Sequence, residues 1–279
     1  MASEAAAASG GTAGSVPYDA PPFDTSVAHI ARVYNYWLGG KDNFAADRAA
    51  AEQAMAAYPN IAQSARANRA FLRRAVHYLA GEAGIRQFLD IGTGIPSANN
   101  THEVAQSVAP DAKIVYVDND PVVLAHARAL LTSSQEGATD YIDADLRSTR
   151  RIVAEAAKTL DLTQPIAIML MAILQHISDE DDPNAIVAQL IDSVPSGSYL
   201  ALSHPASDIE AEKMAALSKG LNQTMAQTTT LRPRARVAAF FDGLELVSPG
   251  IVNVPDWRPG SPEEASSPAA LWAGVARKP

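Results

Sequence analysis

Two spacings of apolar residues alternate along the chain, one typical of helices and one typical of buried strands. Helical spacing prevails between residues 23 and 80, where three helices are predicted before the first strand. Short, continuous apolar runs then alternate with helical segments as far as residue 203, and such runs are typical of strands buried on both faces. The pattern predicts an α/β fold that begins with helices.

The predicted strands fall into a parallel group and a C-terminal pair. The parallel group comprises a short apolar strand that begins at residue 87 and runs into Asp90, followed by residues 113–117, 139–142, 165–171 and 199–203. The C-terminal pair, near residues 244–254 and 271–276, is joined by a Pro-rich loop without a helix, so its two strands must pair antiparallel. The sheet is therefore predicted to be parallel except at one edge.

Local composition divides the chain into three parts. Residues 1–20 are small and rich in Gly and Ser, so burial cannot offset the entropy lost on ordering them, and a disordered tail is predicted. Residues 21–82 hold the helices of a predicted N-terminal cap. Residues 83–279 hold the strands of a predicted α/β domain, with a helical insertion at about residues 206–242.

Composition and charge narrow the class of protein. A chain of 279 residues that is 47% hydrophobic is long enough for one α/β domain with additions. It has no cysteine, which excludes disulfides and fits a reducing cytoplasm, the expected location. A net charge of −9 argues against a nucleic-acid partner. No membrane span is predicted, because no apolar run reaches the roughly 18 residues that a span needs. No signal peptide is predicted either, because the chain does not open with a basic segment followed by an apolar one.

The turn after the first strand carries the clearest chemical signal. Asp90 is followed by Gly92 and Gly94, and two glycines let the backbone turn sharply and approach a ligand without a Cβ atom in the way. The dinucleotide fingerprint needs a third glycine where this chain has Ser97. The remaining pattern is similar to the first motif of Rossmann-like S-adenosylmethionine (SAM) methyltransferases. It favours a SAM site over a nicotinamide site.

Acidic residues follow the next two predicted strands. Asp118 ends the second strand, where folds of this kind present a carboxylate to the ribose hydroxyls. Asp120 is explained as the cap of the next helix, so Asp118 is the residue that needs a function. After the third strand, Asp145 is predicted to meet the adenine amino group of the cofactor. The alternative for Asp145 is a helix cap.

Longer segments resemble a bacterial S-adenosyl methyltransferase family that was long known only as a domain of unknown function. The similar segments are residues 32–47, 67–74, 90–96, 100–104, 116–121 and 240–244, and the similarity covers about residues 22–279. The resemblance implies a SAM-binding, Rossmann-like class I methyltransferase domain with strand order 3-2-1-4-5-7-6, its last strand antiparallel, and a helical N-terminal cap. It implies no particular acceptor.

The predicted cofactor site combines these motifs with residues of the cap. It comprises Asp90, Gly92, Thr93, Gly94, Asp118, Asn119, Asp145, Leu146, Ala172, Arg69 and Tyr36. On the third helix, Arg69 or Arg73 is the candidate to bind the SAM carboxylate, because a guanidinium fork matches a carboxylate in geometry. Solvated arginines are the alternative. Tyr36 belongs to an aromatic segment that either packs on the core or covers the cofactor.

The loop after the fourth strand holds the candidates for catalysis. His176 has an unperturbed pKa near neutrality, so it is predicted to act as a general base, with Gln175 orienting the acceptor. The alternative is that a backbone carbonyl satisfies His176 structurally. Relatives commonly have Leu-His-Phe or Leu-His-His here, and Gln175 occupies the place of the first histidine. This departure weakens a histidine-based mechanism.

The predicted function is methyl transfer from SAM to an unidentified small-molecule acceptor. Displacement at a sulfonium depends mainly on positioning, which can lower a barrier by roughly 7–11 kcal/mol, so no catalytic triad is required. No metal site is predicted. The alternative is a SAM-binding regulator or sensor without turnover, which would carry the same cofactor motifs.

Overall fold

The computed structural model describes residues 24–130 and 133–279, so the predicted tail at residues 1–20 lies outside the described residues. The helices are α1 (Ile30–Trp37), α2 (Ala45–Ala57), α3 (Ile61–Gly81), α4 (Thr101–Val108), α5 (Pro121–Leu130), α6 (Thr149–Ala156), α7 (Pro183–Asp192), α8 (Ala211–Thr224), α9 (Arg234–Ala238) and α10 (Pro262–Ala265). The strands are β1 (Gln87–Ile91), β2 (Lys113–Asp118), β3 (Ala138–Asp143), β4 (Ala167–Met171), β5 (Tyr199–Pro205), β6 (Glu245–Leu246), β7 (Val252–Asn253) and β8 (Leu271–Arg277).

The strands form one mixed sheet in the order β3-β2-β1-β4-β5-β8-β6, with β7 also paired to β8. The first five are parallel, and β8 runs antiparallel to β5. This arrangement confirms the predicted order, with β8 in the place of the seventh strand. The single strand predicted near residues 244–254 is two short strands instead. Pro249, which cannot donate to a ladder, lies between them.

The central strands are buried on both faces, as their apolar runs predicted. Every residue of β1 and of β4 is buried. Successive side chains of β4 alternate between two cores: Ile168 and Leu170 pack with α6 and α7 on one face, and Met169 packs with α3 on the other. Truncating a buried leucine such as Leu170 to alanine typically costs about 2–5 kcal/mol. The sheet is therefore a stiff base for the loops at its carboxyl edge.

The predicted cap and the predicted insertion share a third core. Trp37 of α1, Tyr58 after α2 and Ile61 of α3 pack against Leu217 and Leu221 of α8. An isolated parallel bridge also joins residues 28 and 225, which lie just before α1 and just after α8. The two segments thus cover the same edge of the sheet together. No helix in the described ranges is long and apolar enough to cross a bilayer.

Candidate cofactor and acceptor site

A cavity of about 460 Å³ lies between the carboxyl edge of the parallel strands and the cover formed by the cap and α8. This volume falls within the roughly 300–1,000 Å³ typical of small-molecule sites. The predicted site residues that line it are Asp90, Gly92, Thr93, Gly94, Asp118, Asn119, Asp145, Leu146, Ala172, Arg69, Gln175 and His176. The structure thus brings together all the predicted residues except Tyr36.

The two glycines of the turn after β1 are needed for different structural reasons. Both have positive φ, +76° at Gly92 and +66° at Gly94. A Cβ atom at Gly92 would lie 2.5 Å from the side chain of Ile173, so this glycine lets the loop after β4 pack against the turn. A Cβ atom at Gly94 would meet no protein atom within 4 Å. Only Gly94 thus leaves open space, which is what close approach of a ligand requires.

Asp118 fixes the β1 turn as well as facing the cavity. One carboxylate oxygen, Oδ2, accepts a hydrogen bond of 2.8 Å from Gly94 N, and Oδ1 accepts one of 3.0 Å from Asp120 N. Burial raises the pKa of Asp118. Because each carboxylate oxygen has two lone pairs, Asp118 retains capacity for further donors. Asp120 accepts from Val122 N at 2.8 Å and so caps α5 as predicted.

Asp90 is a buried acid at the carboxyl end of β1. Its Oδ2 accepts a hydrogen bond of 2.6 Å from Thr101 Oγ1, and burial raises its pKa to about 6. Arg69 lines the same part of the cavity and opposes that rise in pKa. The Arg69 guanidinium is held by Ala98 O at 3.2 Å and Asn99 O at 3.0 Å. Arg73 instead pairs with Glu264 and does not line the cavity.

Tyr36 lies outside the cavity, and Tyr34 lies in its wall. The Tyr36 hydroxyl donates to Glu52 Oε1 at 3.1 Å on the outer side of α1. The Tyr34 hydroxyl donates to Ala65 O at 3.0 Å and accepts from Asn68 Nδ2 at 3.2 Å. Tyr34 follows Ile30 by four residues, and the pair shares the cavity face of α1. That spacing was a signal in the sequence that favoured Tyr34 over Tyr36.

Asp145 does not cap a helix in the structure. The residue at the N-terminus of α6 is Ser148, and Asp145 Oδ1 instead accepts from Arg147 N at 2.8 Å. Asn119 Nδ2 lies 3.4 Å from Asp145 Oδ2, so the two predicted residues meet beyond the ends of β2 and β3. Arg147 also donates to His176 O at 3.2 Å. This cluster joins the adenine end of the predicted site to the loop after β4.

Hydrogen bonds fix the side chains of Gln175 and His176. His176 Nδ1 lies 3.2 Å from Thr228 O, which can only accept, so Nδ1 carries the proton and Nε2 is the acceptor. Gln175 Nε2 lies 3.2 Å from His176 Nε2 and donates to Ala172 O at 2.6 Å. Both amide hydrogens of Gln175 are therefore used. Its Oε1 is buried and has no partner among the described residues.

The environment of His176 disfavours its charged form. Burial lowers its pKa to about 4, although the hydrogen bond to Thr228 O by itself raises the pKa. The imidazole is neutral at pH 7, so its Nε2 lone pair accepts the hydrogen of Gln175 Nε2, and a group with this pKa retains a proton poorly at neutral pH. The backbone carbonyl predicted as the alternative partner is present, and it belongs to the insertion.

A buried arginine holds the loop after β4 in place. Arg232 is 2% exposed and donates to Leu174 O at 3.0 Å and to Ile177 O at 2.8 Å. It also pairs with Asp179 at 2.7 Å, and its Nη1 lies 2.9 Å from His204 Nε2. Burial lowers the pKa of His204 to about 3, which keeps its Nε2 free to accept from Arg232. Arg232 is an essential support of the site that no sequence motif revealed.

The lining that the cap, the insertion and the start of β8 contribute opposite the strand ends is mostly apolar. Its apolar part, the apolar wall, consists of Trp37, Tyr58, Ile61, Ala65, Met214, Leu217, Leu221, Leu231, Ala270 and Leu271. Uncharged polar side chains of the same segments also line the cavity, namely Ser64, Asn68, Gln227, Thr228 and Thr229. These side chains come from the cap, the insertion and the start of β8, so no local sequence pattern unites them. Within residues 24–130 and 133–279, no three His, Asp or Glu side chains form a group that could hold a metal ion.

Comparisons with known proteins agree with this architecture. The model of a family described as S-adenosyl methyltransferase matches residues 18–279. The structure is similar to that of a DUF574 family protein from Streptomyces avermitilis MA-4680, at 45% sequence identity and a TM-score of 0.89, over 92% of this chain and 99% of that one. It is also similar to a protein from Thermobifida fusca YX, provisionally described as a methyltransferase, at 39% identity and a TM-score of 0.86, over 94% and 99% of the two chains.

A search of curated proteins found no match. The family match nevertheless covers nearly the whole chain, and both solved structures align over almost their full length. The strand order and the glycine turn at the cavity are those expected of the same fold. The chain therefore belongs to the S-adenosyl methyltransferase family, whose cofactor is S-adenosyl-L-methionine.

Proposed function

We propose that this protein is an enzyme that transfers the methyl group of SAM to a small-molecule acceptor. The observation that carries the proposal is the two-sided cavity, which joins a polar wall at the strand ends to an apolar wall under the cap. The two walls suit two different ligands, one charged and one apolar. A protein that only sensed SAM would not need the second compartment.

The polar wall fits the charges and donors of SAM. Asp118 retains lone pairs for the two ribose hydroxyls, and Asp145 with Asn119 is proposed to meet the adenine amino group. Arg69 is proposed to bind the carboxylate, because Arg73 is already paired with Glu264. The backbone of Gly92, Thr93 and Gly94 is proposed to contact the cofactor.

When bound, SAM would supply a methyl group on a positively charged sulfur: an acceptor atom would form a bond to the methyl carbon while the opposite carbon–sulfur bond breaks, which leaves S-adenosylhomocysteine. The chain's part is to hold the acceptor beside that group and to exclude water. The loop with Gln175 and His176 lies where the two walls meet. Its attachment through Arg232 keeps this loop rigid, and rigid positioning is the main source of rate in such a reaction.

The role of His176 as a general base stays a prediction, and the low pKa favours a positioning role instead. A neutral imidazole that accepts from Gln175 Nε2 fixes the orientation of that amide. Comparing His176→Ala with His176→Gln separates the two roles. Loss of turnover in both variants with unchanged SAM affinity supports a base, whereas full turnover in His176→Gln supports positioning.

The proposed function is tested by product formation. The purified protein is first titrated with SAM by calorimetry and then incubated with SAM and a low-molecular-weight bacterial metabolite extract. The expected result is S-adenosylhomocysteine that forms only when the extract is present. Tight SAM binding without this product, for any extract fraction, would contradict the proposal and indicate a SAM-binding sensor. Failure to bind SAM would remove the polar wall as its site.

A further inference from the structure

The acceptor compartment differs in charge from the rest of the cavity. The ionisable residues that line the cavity are His29, Arg69, Asp90, Asp118, Asp145, Arg147 and His176. All of them lie on the strand-end loops or contact those loops, as Arg69 and His29 do through Asn99 and Asp120. The apolar wall described above contains no Asp, Glu, Lys, Arg or His.

A compartment of this kind disfavours a charged ligand. Moving an unpaired ion from water into an apolar environment costs many kcal/mol unless an opposite charge meets it. Trp37 and Tyr58 use their polar atoms in bonds to Ala51 O and Ser64 Oγ, so they, like Leu217, offer mainly ring and aliphatic surface. An uncharged, largely apolar molecule gains free energy when it buries the same surface away from water.

Among the described residues that line the cavity, Gln175, Gln227 and Thr229 each carry a buried side-chain oxygen without a hydrogen-bond partner, and the argument rests on two of them, those of Gln175 and Thr229. Gln175 is 6% exposed, and its Oε1 is free because Ala172 O and His176 Nε2 take both of its amide hydrogens. The Ala172 carbonyl can only accept, so the oxygen and nitrogen of this amide cannot be exchanged. Oε1 can therefore satisfy its hydrogen-bonding capacity only with a donor from outside the described residues.

Thr229 is the second group. It is 7% exposed, and its Oγ1 has no partner among the described residues. Its backbone is fixed on both sides, since Thr229 N donates to Asn222 Oδ1 at 2.6 Å and Thr229 O accepts from Ser218 Oγ at 2.9 Å. The next residue, Thr230, donates from its backbone N to Gln175 O at 2.8 Å. The loops that carry the two unpartnered oxygens are thus joined.

We infer that the acceptor is an uncharged, mostly apolar small molecule whose hydroxyl or N–H group donates to Gln175 Oε1 or to Thr229 Oγ1. This inference rests on the proposed function, because it assigns the ligand of the second compartment. An amide oxygen accepts but never donates, so the site selects ligands that carry a donor. A site built to bond such a group strongly disfavours an analogue without it.

Three naphthalene probes separate the features that the site recognises. Their binding is measured by calorimetry with S-adenosylhomocysteine present, so no turnover occurs. 1-Naphthol is neutral with a donor, 1-methoxynaphthalene is neutral without one, and 1-naphthoate is charged. We expect 1-naphthol to bind about three- to tenfold more tightly than 1-methoxynaphthalene, the effect of one neutral hydrogen bond. We expect 1-naphthoate to bind at least about tenfold more weakly than 1-naphthol.

Variants connect this preference to the two oxygens. At least one of Gln175→Leu and the isosteric Thr229→Val is expected to reduce the preference for 1-naphthol over 1-methoxynaphthalene. Gln53→Leu, on the exposed side of α2, is the matched control and is expected to keep the wild-type preference. Thr229→Val also serves as the second test if Gln175→Leu does not fold.

Three results would overturn the inference: no binding of any probe, equal binding of 1-naphthoate and 1-naphthol, or an unchanged preference in both folded variants. The experiment is independent of turnover. If the probes behave as expected but no S-adenosylhomocysteine forms in the turnover assay, the proposed function fails and the ligand class stands. If a charged acceptor is methylated, the ligand class fails and the proposed function stands.

Discussion

Ionisation of Asp90 is expected to make SAM affinity depend on pH between 5 and 7. Burial raises the pKa of Asp90 to about 6. SAM carries a positive ammonium and a positive sulfonium group, so it is expected to bind the ionised carboxylate better than the neutral acid. With a pKa of about 6, Asp90 is about 9% ionised at pH 5 and about 91% ionised at pH 7. The affinity for SAM should therefore be about tenfold higher at pH 7.

The same ionisation has the opposite effect on stability without ligand. The folded pKa of Asp90 lies above its ordinary value of 3.8, so its contribution to stability is present below pH 3.8 and is lost as the pH rises through 6. The Asp90→Asn variant cannot ionise at this position, so it does not lose this stability as the pH rises. Its amide oxygen can still accept the hydrogen bond from the Thr101 hydroxyl. From pH 4 to pH 7, the free energy of unfolding of the variant should therefore rise by about 2–3 kcal/mol relative to the wild type.

The assay is calorimetric titration with SAM at pH 5, 6 and 7, together with urea unfolding of the free protein at pH 4 and 7. Asp192→Asn, which removes an exposed acid at the end of α7, is the matched control and should behave as the wild type in both measurements. Asp90→Asn should show a much smaller change in SAM affinity with pH. The reasoning is refuted if wild-type affinity is constant from pH 5 to 7, or if Asp90→Asn keeps the full tenfold change.

Three further substitutions are tested by SAM calorimetry, two of them in the polar wall and one outside the cavity. Asp118→Ala should weaken binding about ten- to a hundredfold, as expected for a lost bond to a charged group, and unchanged affinity in a folded variant would remove Asp118 from the site. Gly94→Val should abolish binding, because a β-branched residue at φ +66° is strained and enters the open space of the turn; normal binding would make the turn purely structural. Tyr36→Phe should change SAM affinity less than about twofold, since its hydroxyl pairs with Glu52 outside the cavity; a larger loss would contradict that position.

The sheet and the polar wall were predictable because local patterns determine them. The all-apolar run of β4 identifies a strand buried on both faces, and the turn between β1 and α4 keeps its glycines close in sequence. Asp118 was found because the carboxyl ends of parallel strands meet at one edge. The residues of the β4 run and of the glycine turn lie within a few positions of one another, whereas Asp118 lies 24 residues beyond Gly94 and was found from the predicted topology.

The apolar wall of the cavity was not predictable, because distant segments build it. Tyr58 and Leu217 meet only when the cap packs on the insertion, and no spacing in the sequence records that contact. The split of the predicted sixth strand depends likewise on how β6 and β7 both reach β8. The free oxygen of Gln175 follows from two bonds to other residues, which a sequence pattern does not contain.

The hydrogen bonds from Arg232 to the loop after β4 have a consequence for the order in which the protein folds. This residue fixes the loop after β4 but enters the chain only after β5 and α8. Contacts between such distant segments carry a large loop-closure cost and tend to form late in folding. During synthesis, β1 to β4 emerge well before the residue that immobilises Leu174 and Ile177. We therefore expect the loop after β4 to become fixed late in folding, only when the C-terminal third of the chain has folded.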